Sequence, residues 1–149
     1  MQLLKQSSDN CLLYAAAMVL EVTPEQLIQS IGHDGEEVWW PEQIGSQKKR
    51  SFHIQEILDA ARSLNYSFIC IDAIPLIGID DFNIKEIYPE PMLRLASWIK
   101  DHPGILIVDS GGIGHAVAWD GEQVFDPKGF IKSVEDYIIE SAYLLIKLI

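Results

Sequence analysis

Apolar residues recur along this chain at two spacings, each of which predicts one kind of secondary structure. Apolar residues that return every three or four positions mark the buried face of a helix, whereas short runs rich in β-branched and aromatic residues mark strands. The first pattern predicts helices at residues 11–20, 24–32, 53–64 and 90–101. The second predicts strands at residues 66–71, 105–108, 115–119, 123–126 and 142–148. Helices lead and an antiparallel sheet follows, which is the order of an α+β fold.

Turn and capping residues set the limits of these elements. Asp9 or Asn10 can cap the first helix, and TPEQ at residues 23–26 is a capping box with proline at the first helical position. Residues 33–50 carry glycine and proline among charges without a regular spacing, so we predict a long loop there. Residues 73–88 are likewise predicted to be irregular.

Length and composition indicate a single globular domain, residues 1–149. A chain of 149 residues can bury about 70% of its unfolded surface around one core. With 48% hydrophobic and 22% charged residues, the chain is neither disordered nor membrane-embedded in composition. The longest apolar run, Leu12–Leu20, is nine residues long and too short to cross a bilayer. Lys5 is followed by five polar residues, so we expect no signal peptide and a cytoplasmic location.

Charge and cysteine content exclude several kinds of partner and cofactor. The net charge of −11 repels a phosphate backbone, so we expect no nucleic acid, and we expect no membrane partner either. Cys11 and Cys70 are too few for a disulfide framework, and no CxxC or HExxH spacing supplies zinc ligands. We expect two free thiols, with Cys70 in a buried strand, and neither a metal nor another cofactor. The sequence carries no signal for an oligomeric state.

Cys11 stands where a polar stretch meets the first apolar run. A thiol in the first turn of a helix feels the positive end of the helix dipole and the unpaired backbone N–H groups, which both favour the thiolate. Cys11 is therefore a candidate nucleophile. The alternative is that a cysteine beside Leu12 and Leu13 packs in the core, because cysteine is among the most buried residue types.

The sequence HAVAWDGEQVFD, residues 115–126, supplies a candidate base and an acid to orient it. Its central Asp-Gly pair is typical of a two-residue hairpin turn. Counting outward from such a turn, His115 comes directly opposite Asp126, with Cβ atoms about 5 Å apart. The register thus predicts a His–Asp pair. The alternatives are a half-buried strand histidine and an aspartate that serves only the Asp-Pro-Lys-Gly turn.

An oxyanion hole would complete such a site. The N–H of Cys11 is one natural donor, and a side-chain amide shortly upstream, from Gln6 or otherwise Asn10, is the second. Gly114, just before the histidine, fits a backbone that a substrate must approach closely, although a glycine there can equally form a bend.

Two adjacent tryptophans, Trp39 and Trp40, lie in the predicted loop. Large rings in a loop that contains glycine can form a lid or a shelf for substrate. The alternative is that they cover the core.

Four of these residues resemble a known pattern. A glutamine shortly before a cysteine that opens a helix, and a distant histidine followed by an aspartate in an Asp-Pro-x-Gly turn, are similar to the papain-like cysteine peptidases. Within them the chain looks most like the bacteriocin-processing peptidases that cut after double-glycine leaders. The resemblance implies that Cys11 is the nucleophile, His115 the base, Asp126 the residue that orients the base and Gln6 an oxyanion donor.

The same resemblance covers nearly the whole chain and implies its architecture. We expect a papain-like α+β fold in which an N-terminal helical half packs on a C-terminal antiparallel sheet. One departure concerns the spacing: four residues separate Gln6 from Cys11, one fewer than in the usual pattern.

The predicted function is a cysteine-dependent hydrolase that cleaves a peptide, isopeptide or related acyl bond in a peptide or protein substrate. A non-catalytic module that binds a peptide or a partner protein on the same fold is the alternative, which the short Gln6 spacing favours. An acyltransferase or transglutaminase-like enzyme would use the same three side chains and differ only in what attacks the acyl-enzyme.

Overall fold

A computed structural model describes residues 1–40, 48–72 and 91–149 of the chain. The helices in this part are α1 (Cys11–Leu20), α2 (Pro24–Ile31), α3 (Ile54–Ser63) and α4 (Pro91–Ile99), with a 3₁₀ turn at Val134–Asp136. The strands are β1 (Val38–Trp40), β2 (Lys48–Lys49), β3 (Tyr66–Asp72), β4 (Gly104–Ser110), β5 (Ile113–Trp119), β6 (Val124–Asp126), β7 (Phe130–Lys132) and β8 (Ile138–Lys147). The segment 73–88, predicted to be irregular, lies outside the described residues.

The strands form one large sheet and one small hairpin within the described part of the chain. The large sheet is antiparallel, with six strands in the order β3-β8-β4-β5-β6-β7. The hairpin pairs β1 with β2. The prediction of a continuous loop over residues 33–50 is therefore wrong, because strands of three and two residues are too short to show an alternating pattern.

Of the two predicted helix caps, the one at α2 forms and the Asn10 cap at α1 does not. The capping box at α2 is confirmed, because the Thr23 hydroxyl accepts the N–H of Gln26 at 3.1 Å while the Gln26 side chain accepts the N–H of Thr23 at 2.8 Å. The side chain of Asn10 makes no capping bond at α1 and instead accepts the N–H of Ser8 at 3.4 Å. The predicted side-chain cap of α1 is therefore wrong at Asn10, although the helix begins where expected.

Side-chain alternation on β5 separates two layers of core. Ala116 and Ala118 belong to the cluster around α1, where their small side chains let the apolar helix approach the sheet. Val117 and Trp119 face the other way, into a cluster with residues of α4, and the indole N–H of Trp119 donates to the Ile99 carbonyl at 2.8 Å. Helices thus cover both faces of the sheet rather than one.

The strand that contains Cys70 lies at the edge of the sheet. β3 pairs with β8, and it is the first strand in the sheet order. Ile69 is 52% exposed and Cys70 is exposed as well. The prediction of a buried strand is wrong, because β3 has a neighbouring strand on one side only and no residue of it is fully buried.

No single helix among the described residues is both long and apolar enough to cross a bilayer. The pair α1 and α2 together has the length and composition of a membrane span, but the two helices are bent by 108° relative to each other.

Gly104, on β4, is the position at which a single added carbon should cost the most stability. A Cβ there would lie 2.3 Å from the Tyr143 carbonyl oxygen and 2.9 Å from the Leu144 Cα, both backbone atoms of β8. We expect Gly104→Ala to lower the free energy of unfolding by about 3 kcal/mol. Gly114→Ala is the matched control, because its Cβ would meet only Ile107 at 3.9 Å. Equal denaturant midpoints for the two variants would contradict this packing.

Candidate active site

The thiol of Cys11 lies at the free edge of β5. Cys11 is the first residue of α1, and no acidic residue occupies the first turn of that helix. β6 pairs with β5 only at Ala118 and Trp119. The N–H of Ala116 is therefore left to donate to Cys11 Sγ, at 3.5 Å. The short length of β6 creates the space that the start of α1 occupies.

His115 and Asp126 form a buried pair beside this thiol. His115 Nε2 lies 2.8 Å from Asp126 Oδ1. The two residues are 7% and 2% exposed. Because Nε2 faces the carboxylate, Nδ1 is the ring nitrogen that remains for the Cys11 thiol, and the two groups are near enough for each to shift the pKa of the other. Sulfur, ring and acid thus lie in a row.

The pair forms by a different register from the predicted one. Trp119 pairs with Val124, so the strands are offset by two residues from the register of a two-residue turn. The Asp120 side chain accepts the N–H groups of both Glu122 and Gln123, which makes the turn longer. His115 is consequently diagonal to Asp126 rather than directly opposite. An offset of two residues keeps both side chains on the same face, so they still meet.

Asp126 also stabilises the Asp-Pro-Lys-Gly turn, which was the alternative interpretation of this residue. Its Oδ1 accepts the N–H of Lys128 at 2.9 Å, and its carbonyl accepts the N–H of Gly129 at 2.9 Å. The turn in addition holds the segment before Cys11, since the Gln6 N–H donates to the Pro127 carbonyl at 2.7 Å. These contacts bring the ends of β6 and α1 together, and no local signal in the sequence marks them.

Sequence reasoning missed one further partner of the pair. The Tyr137 hydroxyl donates to Asp126 Oδ2 at 2.7 Å. Tyr137 follows the 3₁₀ turn and precedes β8, in a segment without a recognisable motif. Only the tertiary contact identifies it.

The three groups shift one another's pKa values. Burial raises the pKa of the Cys11 thiol, but the hydrogen bond with His115, the N–H of Ala116 and the charge of His115 outweigh it, so that the pKa is lowered. The hydrogen bonds with Asp126 and Cys11 raise the pKa of His115 to about 9. Burial raises the pKa of Asp126, but the bonds from His115, Lys128 and Tyr137 outweigh burial and lower it. These directions favour a thiolate beside an imidazolium.

Gln6 lies in the loop before α1, with its amide already engaged. Its Nε2 donates to the Ser8 carbonyl at 2.8 Å, while its Oε1 is buried and accepts no hydrogen bond from the described residues. An amide nitrogen carries two hydrogens, so one N–H remains for another acceptor. The role of Gln6 as an oxyanion donor stays a prediction.

The predicted substrate-binding residues lie in different surroundings. Gly114 is exposed, and a side chain there would have open space around it. Trp39 is 46% exposed with the Arg50 guanidinium 5.1 Å from its ring, so the alternative that it covers the core is wrong. The side chain of Trp40 lies outside the described part of the chain.

Among the cavities lined by described residues, two lie near the N-terminal segment, and the larger of these two is not beside the thiol. A cavity of about 290 Å³ opens between the loop Ser8–Asn10, just before Cys11, and residues 34–36, 48–49 and 51–52. The other, of about 710 Å³, lies between the N-terminal segment, α1 and α2, and none of the three paired side chains lines it. The smaller cavity reaches the loop that precedes Cys11, although Cys11, His115 and Asp126 do not line it either.

In the ranges 1–40, 48–72 and 91–149, no three His, Cys, Asp or Glu side chains converge as the ligands of a metal ion do. The expectation of a site without a metal stays a prediction.

Comparisons with known proteins bear on the fold. No family model and no curated protein sequence match this chain. Solved structures do match it, among them the crystal structure of the peptidase domain of Streptococcus ComA, a bi-functional ABC transporter involved in a quorum-sensing pathway. The two chains are 16% identical, 98% of each is covered and the TM-score is 0.53. The expected α+β architecture is confirmed, and the chain has the papain-like fold of a peptidase domain.

Proposed function

We propose that this protein is a cysteine-dependent hydrolase of peptide or related acyl bonds, with Cys11, His115 and Asp126 as its catalytic residues. The observation that carries the proposal is the row of side chains in which the His115 ring lies 2.8 Å from the Asp126 carboxylate, while the Cys11 thiol accepts the N–H of Ala116, the residue after His115, at 3.5 Å. A nucleophile, a base and a group that orients the base are what acyl transfer through a thiol requires.

The proposed reaction proceeds through an acyl-enzyme. The Cys11 thiolate attacks the carbonyl carbon, and the tetrahedral oxyanion accepts the Cys11 N–H and a second donor, for which Gln6 is the candidate. Protonated His115 gives its proton to the leaving amine as the C–N bond breaks. Neutral His115 then takes a proton from water, which attacks the thioester carbon, and the free thiolate and a carboxylic acid are released. Asp126 keeps the ring oriented throughout.

Cleavage of a mixed peptide library tests the proposal without a known substrate. The full chain is incubated with the library, and new peptide termini are identified by mass spectrometry. New termini that require the native protein are the expected result. An added lysine-containing acceptor peptide separates hydrolysis from acyl transfer, because a transferase would pass the acyl group to the amine in preference to water. A native protein that produces no new termini from pH 5 to pH 9 would overturn the proposal.

A binding module on the same fold is the second candidate, and the orientation of Gln6 favours it. The Ser8 carbonyl holds one N–H of Gln6 Nε2 at 2.8 Å, so the amide is committed to its own loop by one of its two donors. Such a module would retain peptides from the library and release them intact.

The pH dependence of cleavage follows from the shifted pKa values. Activity requires pH above the lowered pKa of Cys11, so that the thiolate exists, and pH below about 9, so that His115 keeps its proton. We therefore expect a bell-shaped profile of kcat/KM whose two limbs belong to the coupled pair. The alkaline limb should move to lower pH in Asp126→Asn, because Asp126 is the main cause of the raised pKa of His115.

Asp109→Asn is the control for that shift, since Asp109 on β4 binds the N–H of Gly112 rather than the histidine. A rate that continues to rise above pH 9 in the wild-type protein would contradict the role of protonated His115.

A further inference from the structure

The Asp126 carboxylate has three hydrogen-bond donors, of which one is a side chain outside the proposed catalytic residues. Its Oδ1 is shared by His115 Nε2 at 2.8 Å and the Lys128 N–H at 2.9 Å. Its Oδ2 accepts the Tyr137 hydroxyl at 2.7 Å. We propose that Tyr137 is a positioning residue, which acts through Asp126 to hold His115 in the orientation that activates Cys11. This inference rests on the proposed function.

The carboxylate needs a donor at each oxygen because it is buried. Asp126 is 2% exposed, so an unpaired oxygen would carry the cost of lost hydration. Loss of the Tyr137 hydroxyl would leave Oδ2 without its donor, and the carboxyl group would then turn about its last side-chain bond or take up a proton more readily. Rotation would move Oδ1 away from His115, and protonation would remove the negative charge that stabilises the imidazolium. Tyr137 therefore selects which carboxylate oxygen the ring meets.

The position of the hydroxyl is fixed by the backbone around it. Ser133 accepts the N–H of Glu135 at 3.3 Å at the start of the 3₁₀ turn, and the N–H of Tyr137 donates to the Val134 carbonyl at 3.2 Å. β8 then begins at the next residue, paired with β4. Tyr137 thus stands between two hydrogen-bonded elements, and its ring packs against the core cluster on the α4 side of the sheet.

Two hydrogen bonds, from Tyr137 to Asp126 and between Asp126 and His115, should carry the effect of Tyr137 to the ring. The charge of the ring then acts on the thiol. With a displaced carboxylate, the imidazolium of His115 loses part of its stabilisation, and the thiolate of Cys11 loses part of its counter-charge. The phenol itself lies against Asp126 rather than against the thiol. Its removal should therefore change the titration of Cys11 without removing any group that touches the substrate.

The experiment measures the alkylation rate of Cys11 by iodoacetamide as a function of pH, resolved by peptide mass spectrometry on the native full chain. In Tyr137→Phe we expect the midpoint of the Cys11 profile to move upward, and the rate at pH 6 to fall roughly tenfold. Exposed Cys70 is an internal reference for the reagent and for unfolding. Tyr66→Phe is the matched control, because it removes a tyrosine hydroxyl from the edge strand β3, on the other core cluster, and should leave the profiles of Cys11 and Cys70 unchanged.

A double substitution separates positioning from general loosening of the fold. If Tyr137 acts through Asp126, then Tyr137→Phe in an Asp126→Asn background should add no further shift. An additive shift, an unchanged profile or a downward shift in Tyr137→Phe would each overturn the inference. Such a result leaves the proposed function intact as long as wild-type Cys11 titrates below Cys70. If wild-type Cys11 titrates like Cys70, the proposed function fails and the inference fails with it.

A measurement on the wild-type protein covers the case in which Tyr137→Phe does not fold. Burial and the hydrogen bond with Asp126 raise the pKa of the Tyr137 hydroxyl well above its usual value. In a ¹³C-tyrosine NMR titration, the Tyr137 hydroxyl should remain protonated at pH 11, beyond the ordinary tyrosine pKa of about 10. Titration of Tyr137 at the ordinary value would show that the bond to Asp126 is absent and would overturn the inference.

Discussion

Replacing Cys11 with alanine should reduce cleavage of library peptides to the background rate, a loss on the order of 10⁴-fold or more. The reason is chemical, because no acyl-enzyme forms without the sulfur. Loss of a small, half-buried side chain at a helix start leaves the core of α1 in place, so the variant should remain folded. Circular dichroism and the denaturant midpoint check that it does.

Cys70→Ala is the matched control for this change. Cys70 lies on the exposed edge strand β3, and it is absent from the row of side chains around His115. Its replacement should leave the cleavage rate within about twofold of the wild-type rate, since exposed positions away from a site rarely matter. Cleavage that survives in Cys11→Ala would show that a different group attacks the substrate, and the proposed mechanism would be wrong.

His115→Ala should lower the cleavage rate by about 10²- to 10⁴-fold, the range expected for loss of a general acid–base group. It should also change the reactivity of the thiol itself. At pH 6 an ordinary thiol is only about 0.3% thiolate. The partner imidazolium lowers the pKa of Cys11, so alkylation at pH 6 should be about 10- to 100-fold faster in the wild-type protein than in the variant.

The two alkylation profiles should cross at high pH. Once an ordinary thiol ionises, its thiolate is more nucleophilic than one of lower pKa, so His115→Ala should label at least as fast as wild type near pH 10. His102→Ala, at an exposed histidine before β4, is the control and should follow the wild-type profile. Equal and slow labelling of Cys11 in wild type and His115→Ala at pH 6 would contradict an activated thiolate.

Local sequence patterns predicted the elements that local interactions form. The helices α1 to α4 lie where the apolar spacing places them, and the capping box at Thr23 forms as expected. The hairpin β1–β2 and the short strand β7 were missed, because two or three residues carry no measurable periodicity. Burial of β3 was wrong for another reason: a strand's neighbours in a sheet are not encoded in the strand.

The pairing of His115 with Asp126 shows how a wrong register can still identify two neighbouring residues. The predicted two-residue turn is in fact longer, because the Asp120 side chain binds two following N–H groups. Side chains alternate with a period of two, so an offset of two residues preserves the face. An offset of one residue would have placed the imidazole and the carboxylate on opposite sides of the sheet.

The sequence by itself determined the secondary structure around the candidate site: a cysteine at a helix start, and a histidine and an aspartate on the same face of a hairpin. These features follow from interactions within about a dozen residues along the chain. Only the tertiary structure decided that the thiol meets the imidazole, through the gap beyond β6 and the bond from Gln6 to Pro127, and that Tyr137 supports the acid. Such contacts join segments separated by up to 121 residues, as Gln6 and Pro127 are, and packing of the whole core brings them together.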